Sequence, residues 1–232
     1  TNLQEISVVS SLNVSGITNL LNNLNLTGSL NITGQTNLQR TSVVSSLTVS
    51  GITNLLNTLN VNGSLNITGQ TNLQRTSVVS SLTVSGITNL LNTLNVNGSL
   101  NITGQTNLQE ISVVSSLNVS GITNLLNKLN VNGPLNITGQ TNLQETSVVS
   151  SLTVSGITNL LNNLNLTGSL NITGQTNLQE ISVVSSLNIS GITNLLNNLN
   201  LTGSLNITGQ TNLQEISVVS SLNVSGITNL LN

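Results

Sequence analysis

The amino-acid sequence predicts an all-β fold, an elongated β-helix or solenoid of coils 17–18 residues long, two coils to each repeat of 35. Three observations predict it. Thr-Asn-Leu-Gln recurs at Thr1, Thr36, Thr71, Thr106, Thr141, Thr176 and Thr211. Each repeat divides into five blocks of six residues and one of five, with apolar or Thr residues at the first position and Leu, Val or Ile at the third. Leu, Ile and Val supply the whole 36% hydrophobic content, while only 3% of the 232 residues are charged.

The fixed period decides the class of fold, because one repeat cannot bury its apolar face alone and must stack on its neighbours. Units 1–35, 36–70, 71–105, 106–140, 141–175 and 176–210 are complete and 211–232 is partial, so residues 1–232 read as one continuous repeat rod without a linker. Units 36–70 and 71–105 are identical, and 176–210 differs from 1–35 only in Ile189 for Val14. The chain starts at Thr1 and stops in mid-repeat at Asn232, and is therefore read as an excerpt of a longer polypeptide.

The blocks justify the elements in turn. The first unit reads TNLQE, ISVVSS, LNVSGI, TNLLNN, LNLTGS, LNITGQ. Apolar residues flanking one polar residue are the period-two signature of a short strand with a single buried face. All 19 glycines fall at position five, where a corner demanding positive φ is expected. A corner after every block makes three blocks one coil. Stacked at about 4.8 Å, the coils number about 13 and the rod is roughly 60 Å long. The interior is expected to be Leu, Val and Ile, with Thr18, Thr36 and their equivalents as inward or corner positions whose hydroxyls need partners. Outward Asn residues are expected to form amide ladders from coil to coil. A helical reading fails, since Asn, Ser, Thr, Val and Gly are poor helix formers and the apolar spacing is wrong for a helix.

Composition excludes most chemistry. The chain has no Cys, His, Met, Phe, Tyr, Trp, Ala or Asp. The usual metal clusters and nucleophile–base pairs therefore lack their residues, no cofactor site is assigned, and the chain is not read as an enzyme. Three Lys and Arg residues are too few to neutralise a nucleic-acid backbone. No apolar run approaches the roughly 18 residues that span a membrane as a helix. The recurrent charges Glu5, Arg40, Arg75, Glu110, Glu145, Glu180 and Glu215 end the five-residue blocks, and Lys128 and Pro134 end six-residue blocks. Successive members of the first series lie two coils apart, about 10 Å, too far for two carboxylates to share a metal or a proton.

Asn-x-Ser/Thr sequons are numerous. They number 15, against about 12 expected by chance from 43 Asn and 64 Ser and Thr. Asn13, Asn25, Asn31, Asn118 and Asn188 are the candidate N-glycosylation sites, on an outward position of the block.

A second pairing of the strands links residues 24–34 and 6–16, each as strand, tight turn and strand. There Gly133-Pro134-Leu135-Asn136-Ile137 places a Gly-Pro turn before a Leu-x-Ile strand, and residues 47–55 read LTVSGITNL. These segments resemble the tandem-repeat fibre shafts of viruses and phages, the triple β-spirals and triangular β-helices. Here paired blocks of 17 and 18 residues replace the shorter single block of the adenovirus-type shaft. The resemblance implies a homotrimeric shaft on a virion surface or outside a cell. One chain closing each coil and three chains threaded together both remain open at this stage. The expected function is a stiff rod that displays another module, with a cell-surface adhesin or self-associating extracellular filament as the alternative, and an ice-binding solenoid behind both. The expected partner is the chain itself, as a homotrimer or by lateral association.

Overall fold

A computed structural model describes residues 2, 3 and 5–230, with the backbone alone at Asn2, Leu3, Leu20, Leu21 and Leu230. Every element among the described residues is a β-strand. The chain forms two compact units, Thr1–Ser115 and Ser116–Asn232, built on the same plan.

In the first unit, long strands Thr18–Leu26, Thr36–Val43, Thr53–Val61, Thr71–Val78, Thr88–Val96 and Thr106–Val113 lie side by side in that order, all parallel. Between them in sequence, three-residue strands from Leu12–Val14 to Leu100–Ile102 make a second parallel sheet. The second unit repeats this, with long strands from Thr123–Val131 to Thr228–Leu230 and short ones from Leu117–Val119 to Leu222–Val224. Each coil is thus one long and one short strand, and both units are parallel β-solenoids. Each strand takes its neighbours from the same chain, 17 or 18 residues away, so one chain closes each coil.

Stacking sets like upon like. Thr36 pairs with Thr53, Leu38 with Leu55 and Val43 with Val61, while Leu30, Leu47 and Leu65 align in the short sheet. Leu30, Leu47, Leu65, Leu82 and Leu100 are fully buried. Each such side chain contributes about 1.5–3 kcal/mol by leaving water. The corners keep the hydrogen-bonded spacing as well: Val44 donates its N–H to the Leu26 carbonyl at 2.9 Å, and Leu30 donates to Ser46 at 2.9 Å. The backbone polar groups of a coil find partners on the coils above and below, which lets an almost uncharged chain bury its amides.

Two expectations are corrected. The corner expected after each TNLLN or TNLQ block is absent. Thr53–Val61 runs on as one nine-residue strand, and the frame changes at a β-bulge. Leu38 pairs with Leu55 and Arg40 with Thr58, so Leu56 and Asn57 stand opposite Gln39 alone. This bulge is the eighteenth residue of the longer coil, and it explains why the repeat is 35 rather than 36. Glycine also has a different duty from the one expected. No described residue has a positive φ. A Cβ on Gly34, Gly51 or Gly69 would instead collide with the carbonyl of Gly16, Gly34 or Gly51 in the adjacent coil. Glycine here lets backbones approach, not turn left-handed. At the other corner Gly28, Gly63 and Gly98 lie against Ser10, Ser45 and Ser80, so only alternate coils need glycine there. The blocks that begin TNLL and TNLQ lack glycine because they contain the bulge and the strand runs on beyond them without a tight corner.

Candidate functional site: the outward ladders

The outward surface of each unit is assembled by strand alternation. With Thr53 and Leu55 inward, Ile52, Asn54 and Leu56 face out; beyond the bulge Thr58 and Asn60 do so. In the next coil the outward residues are Gln70, Asn72, Gln74, Arg75 and Ser77.

Two columns are amide ladders. On the long sheet Asn54 Nδ2 donates to Asn37 Oδ1 at 2.9 Å, and Asn72 Nδ2 donates to Asn54 Oδ1 at 2.8 Å. The second unit continues the same pattern through Asn159, Asn177, Asn194 and Asn212, at 2.7–2.8 Å. On the short sheet Asn31 donates to Asn13 at 2.9 Å, while Thr48 and Thr83 interrupt the column. Asn188 donates to Asn171 and accepts from Asn206, both at 2.8 Å.

The sequons divide on this geometry. Asn13, Asn31, Asn118 and Asn188 belong to the short-sheet ladder, where Asn118 accepts from Asn136 at 2.8 Å. Asn25 lies beyond the bulge on the long sheet, exposed, between Ser7 and Ser42 of the adjacent coils. Its amide has no hydrogen-bond partner among the described residues. Asn165 and Asn200 share its setting in the second unit, each between two serines.

The charges form one column per unit, directly beyond the bulge. Arg40 pairs with Asn23 and Thr58, and Thr58 with Arg75. In the second unit Lys128 pairs with Glu145, and Asn198 with Glu215. Sequence reasoning put Lys128 and Glu145 in different block types and missed that they are one coil apart. The extra residue of the six-residue block, taken up by the bulge, was the signal. The charged side chains of the column face solvent, and each unit has a shallow polar groove beside it, lined by Asn25, Arg40 and Asn60 in the first and by Asn163, Glu180 and Asn198 in the second. No ion pair forms within the column, and among the described residues no three acidic groups come together as a metal cluster.

Apolar residues also reach the surface, in alternate coils. Ile52 is 43% and Leu56 45% exposed, and Ile87 and Leu91 repeat them two coils on. Gln stands in the intervening coils, as where Gln175 pairs with both Ile157 and Ile192. The inward Thr column lies opposite to all this. Thr36, Thr53, Thr71, Thr88 and Thr106 are buried, and contrary to expectation their hydroxyls find no hydrogen-bond partner.

No protein-family model, curated protein or solved structure matches this chain.

Proposed function

We propose that this chain is a structural shaft, a stiff segment that holds another module at a distance. The observation that carries the reading is the continuous parallel stacking within each unit, where backbone, core and the long-sheet amide ladder repeat from coil to coil. In such a stack a repeat can be added or removed without altering its neighbours' fold, so length is adjustable by copying units. Stiffness comes from hydrogen bonds directed along the stack around a dry aliphatic core. The similarity of the Gly133-to-Ile137 turn and of residues 47–55 to viral and phage fibre shafts favours a virion surface or an extracellular location. The buried position of the regular Thr column favours a mechanical role over ice binding, which needs such rows on the surface.

A second reading, a self-associating extracellular filament, is favoured by the half-exposed Ile and Leu residues at two-coil intervals.

The test is to insert or delete one copy of residues 71–105 and follow the maximum dimension by small-angle scattering at concentrations where the chain is monomeric. Each unit should change it by about 10 Å, two coils at the strand spacing. A particle that grows in all dimensions instead of one would overturn the shaft reading.

A further inference from the structure

We infer that the charged column beyond the bulge docks a second copy of this chain, the first unit of one copy lying against the second unit of another. The inference deepens the shaft reading by naming the partner and the face, and it rests on that reading.

The argument is charge complementarity at a matched period. In the first unit Arg40 and Arg75 project from the same column, separated by one coil carrying Thr58. In the second unit Glu180 and Glu215 project from the equivalent column, separated by one coil carrying Asn198. Both spacings are two coils, about 10 Å. Two arginines of one copy therefore meet two glutamates of another, either Glu180 and Glu215 or, two coils back, Glu145 and Glu180, while a slip by one coil sets the arginines against Asn.

The surroundings suit a guanidinium. Arg has five N–H donors and no acceptor, so a carboxylate alone leaves part of it unsatisfied. The groove beside Glu180 is lined by Asn163, Asn165, Asn198 and Asn200, whose amide oxygens supply further acceptors. Among the described residues Arg40, Arg75, Glu180 and Glu215 have no ion-pair partner, so docking breaks no existing pair there. Leu56, Leu91 and Leu196, each a little under half exposed, flank the column across the bulge and would lose water on contact. A sequence with so few charges could place its signs at random. Here both arginines, Arg40 and Arg75, stand in the first unit, with Glu110 two coils on, while the second unit carries Lys128 and then Glu145, Glu180 and Glu215 at the same structural position.

The test is a charge exchange read by sedimentation equilibrium. One variant carries Arg40→Glu and Arg75→Glu, the other Glu180→Arg and Glu215→Arg. The unaltered chain should self-associate at low salt and dissociate as salt rises, since exposed charges are screened. Each variant alone should associate on the order of tenfold more weakly or worse. An equimolar mixture should recover the mass of the wild-type complex, because the reversed first unit of one variant now meets the reversed second unit of the other. The four positions are exposed, and an unchanged β-type circular dichroism spectrum would show that folding is intact. Wild-type chain that stays monomeric, variants that associate as the wild type does, or a mixture no heavier than its components would each overturn the inference. The scattering dimension of the monomer would be unaffected by any of these outcomes, so the shaft reading fails or survives separately.

Discussion

The carbonyl oxygen of Gly34 occupies the space in which a Cβ on Gly51 would have to stand. The obstacle is backbone, held by the coil's own hydrogen bonds, and cannot rotate away as a side chain would. Gly51→Ala should therefore force two coils apart locally and cost roughly 1–3 kcal/mol. Gly16 holds the same place in the block, yet nothing lies within 4 Å of its would-be Cβ. Gly16→Ala should be neutral or slightly stabilising, since it restricts the unfolded chain. Urea unfolding of the two variants decides the matter, and equal losses would mean that backbone conformation, not close approach, selects glycine.

What was legible in the sequence and what was not follows from the kind of information each feature needs. Leu30, Leu47 and Leu65 could be placed inside from alternation alone, because burial in a strand depends on parity, which a one-dimensional pattern carries. The stacking of Asn54 on Asn37 followed from the period once coils were assumed. The duty of Gly51 could not be read, since glycine serves left-handed turns and close contacts equally and only the neighbouring coil distinguishes them. The bulge at Leu56 and Asn57 was present as the alternation of six- and five-residue blocks, but a missing residue looks the same in a corner as in a strand. The adjacency of Lys128 and Glu145 was lost with it.

Thr88 is fully buried and its hydroxyl has no hydrogen-bond partner. Valine has nearly the same shape and strand preference without a donor to satisfy. Thr88→Val should stabilise the chain by about 1 kcal/mol, the lower part of the range for an unsatisfied buried group. A rise in the unfolding midpoint with an unchanged denaturant slope would agree. A loss of stability would show that the Thr column has a partner, such as bound water, and that the interior is not dry.

Alternation in the sequence places Leu20 inward and Asn19 outward, but the side chain of Leu20 lies outside the described residues. Leu55 and Asn54, one repeat on, carry the same contrast. Leu55 is 3% exposed, and Leu55→Asp would bury a charge without a partner, costing about 3–5 kcal/mol. Judged by alternation alone, Asn54→Asp is an outward change and far milder. The ladder alters that: Asn54 Nδ2 donates to Asn37, and an aspartate there loses the donor and faces the Asn37 oxygen. A cost of about 1 kcal/mol is expected. Asn60→Asp, beyond the bulge, should cost less than either. Thermal melts of the three variants should rank Leu55 far above Asn54, and Asn54 above Asn60.

Asn188 and Asn165 are both sequons, but their neighbours differ. Asn171 and Asn206, the residues stacked on Asn188, are sequons themselves, one coil away on either side at about 4.8 Å. Asn165 has Ser147 and Ser182 in those places, and the next acceptor, Asn200, is two coils off. A sugar ring on Asn188 would crowd both ladder neighbours and compete with the bond its Nδ2 makes to Asn171 at 2.8 Å. One on Asn165 has only serines stacked directly above and below it and displaces no amide bond. If the chain is secreted from a glycosylating cell, peptide mass spectrometry should find Asn165 and Asn200 occupied, and at most one of Asn171, Asn188 and Asn206 on any molecule. Simultaneous occupancy of all three in folded material would mean that the short-sheet ladder is not needed to hold the coils together, since three adjacent amides would then carry glycans without unstacking.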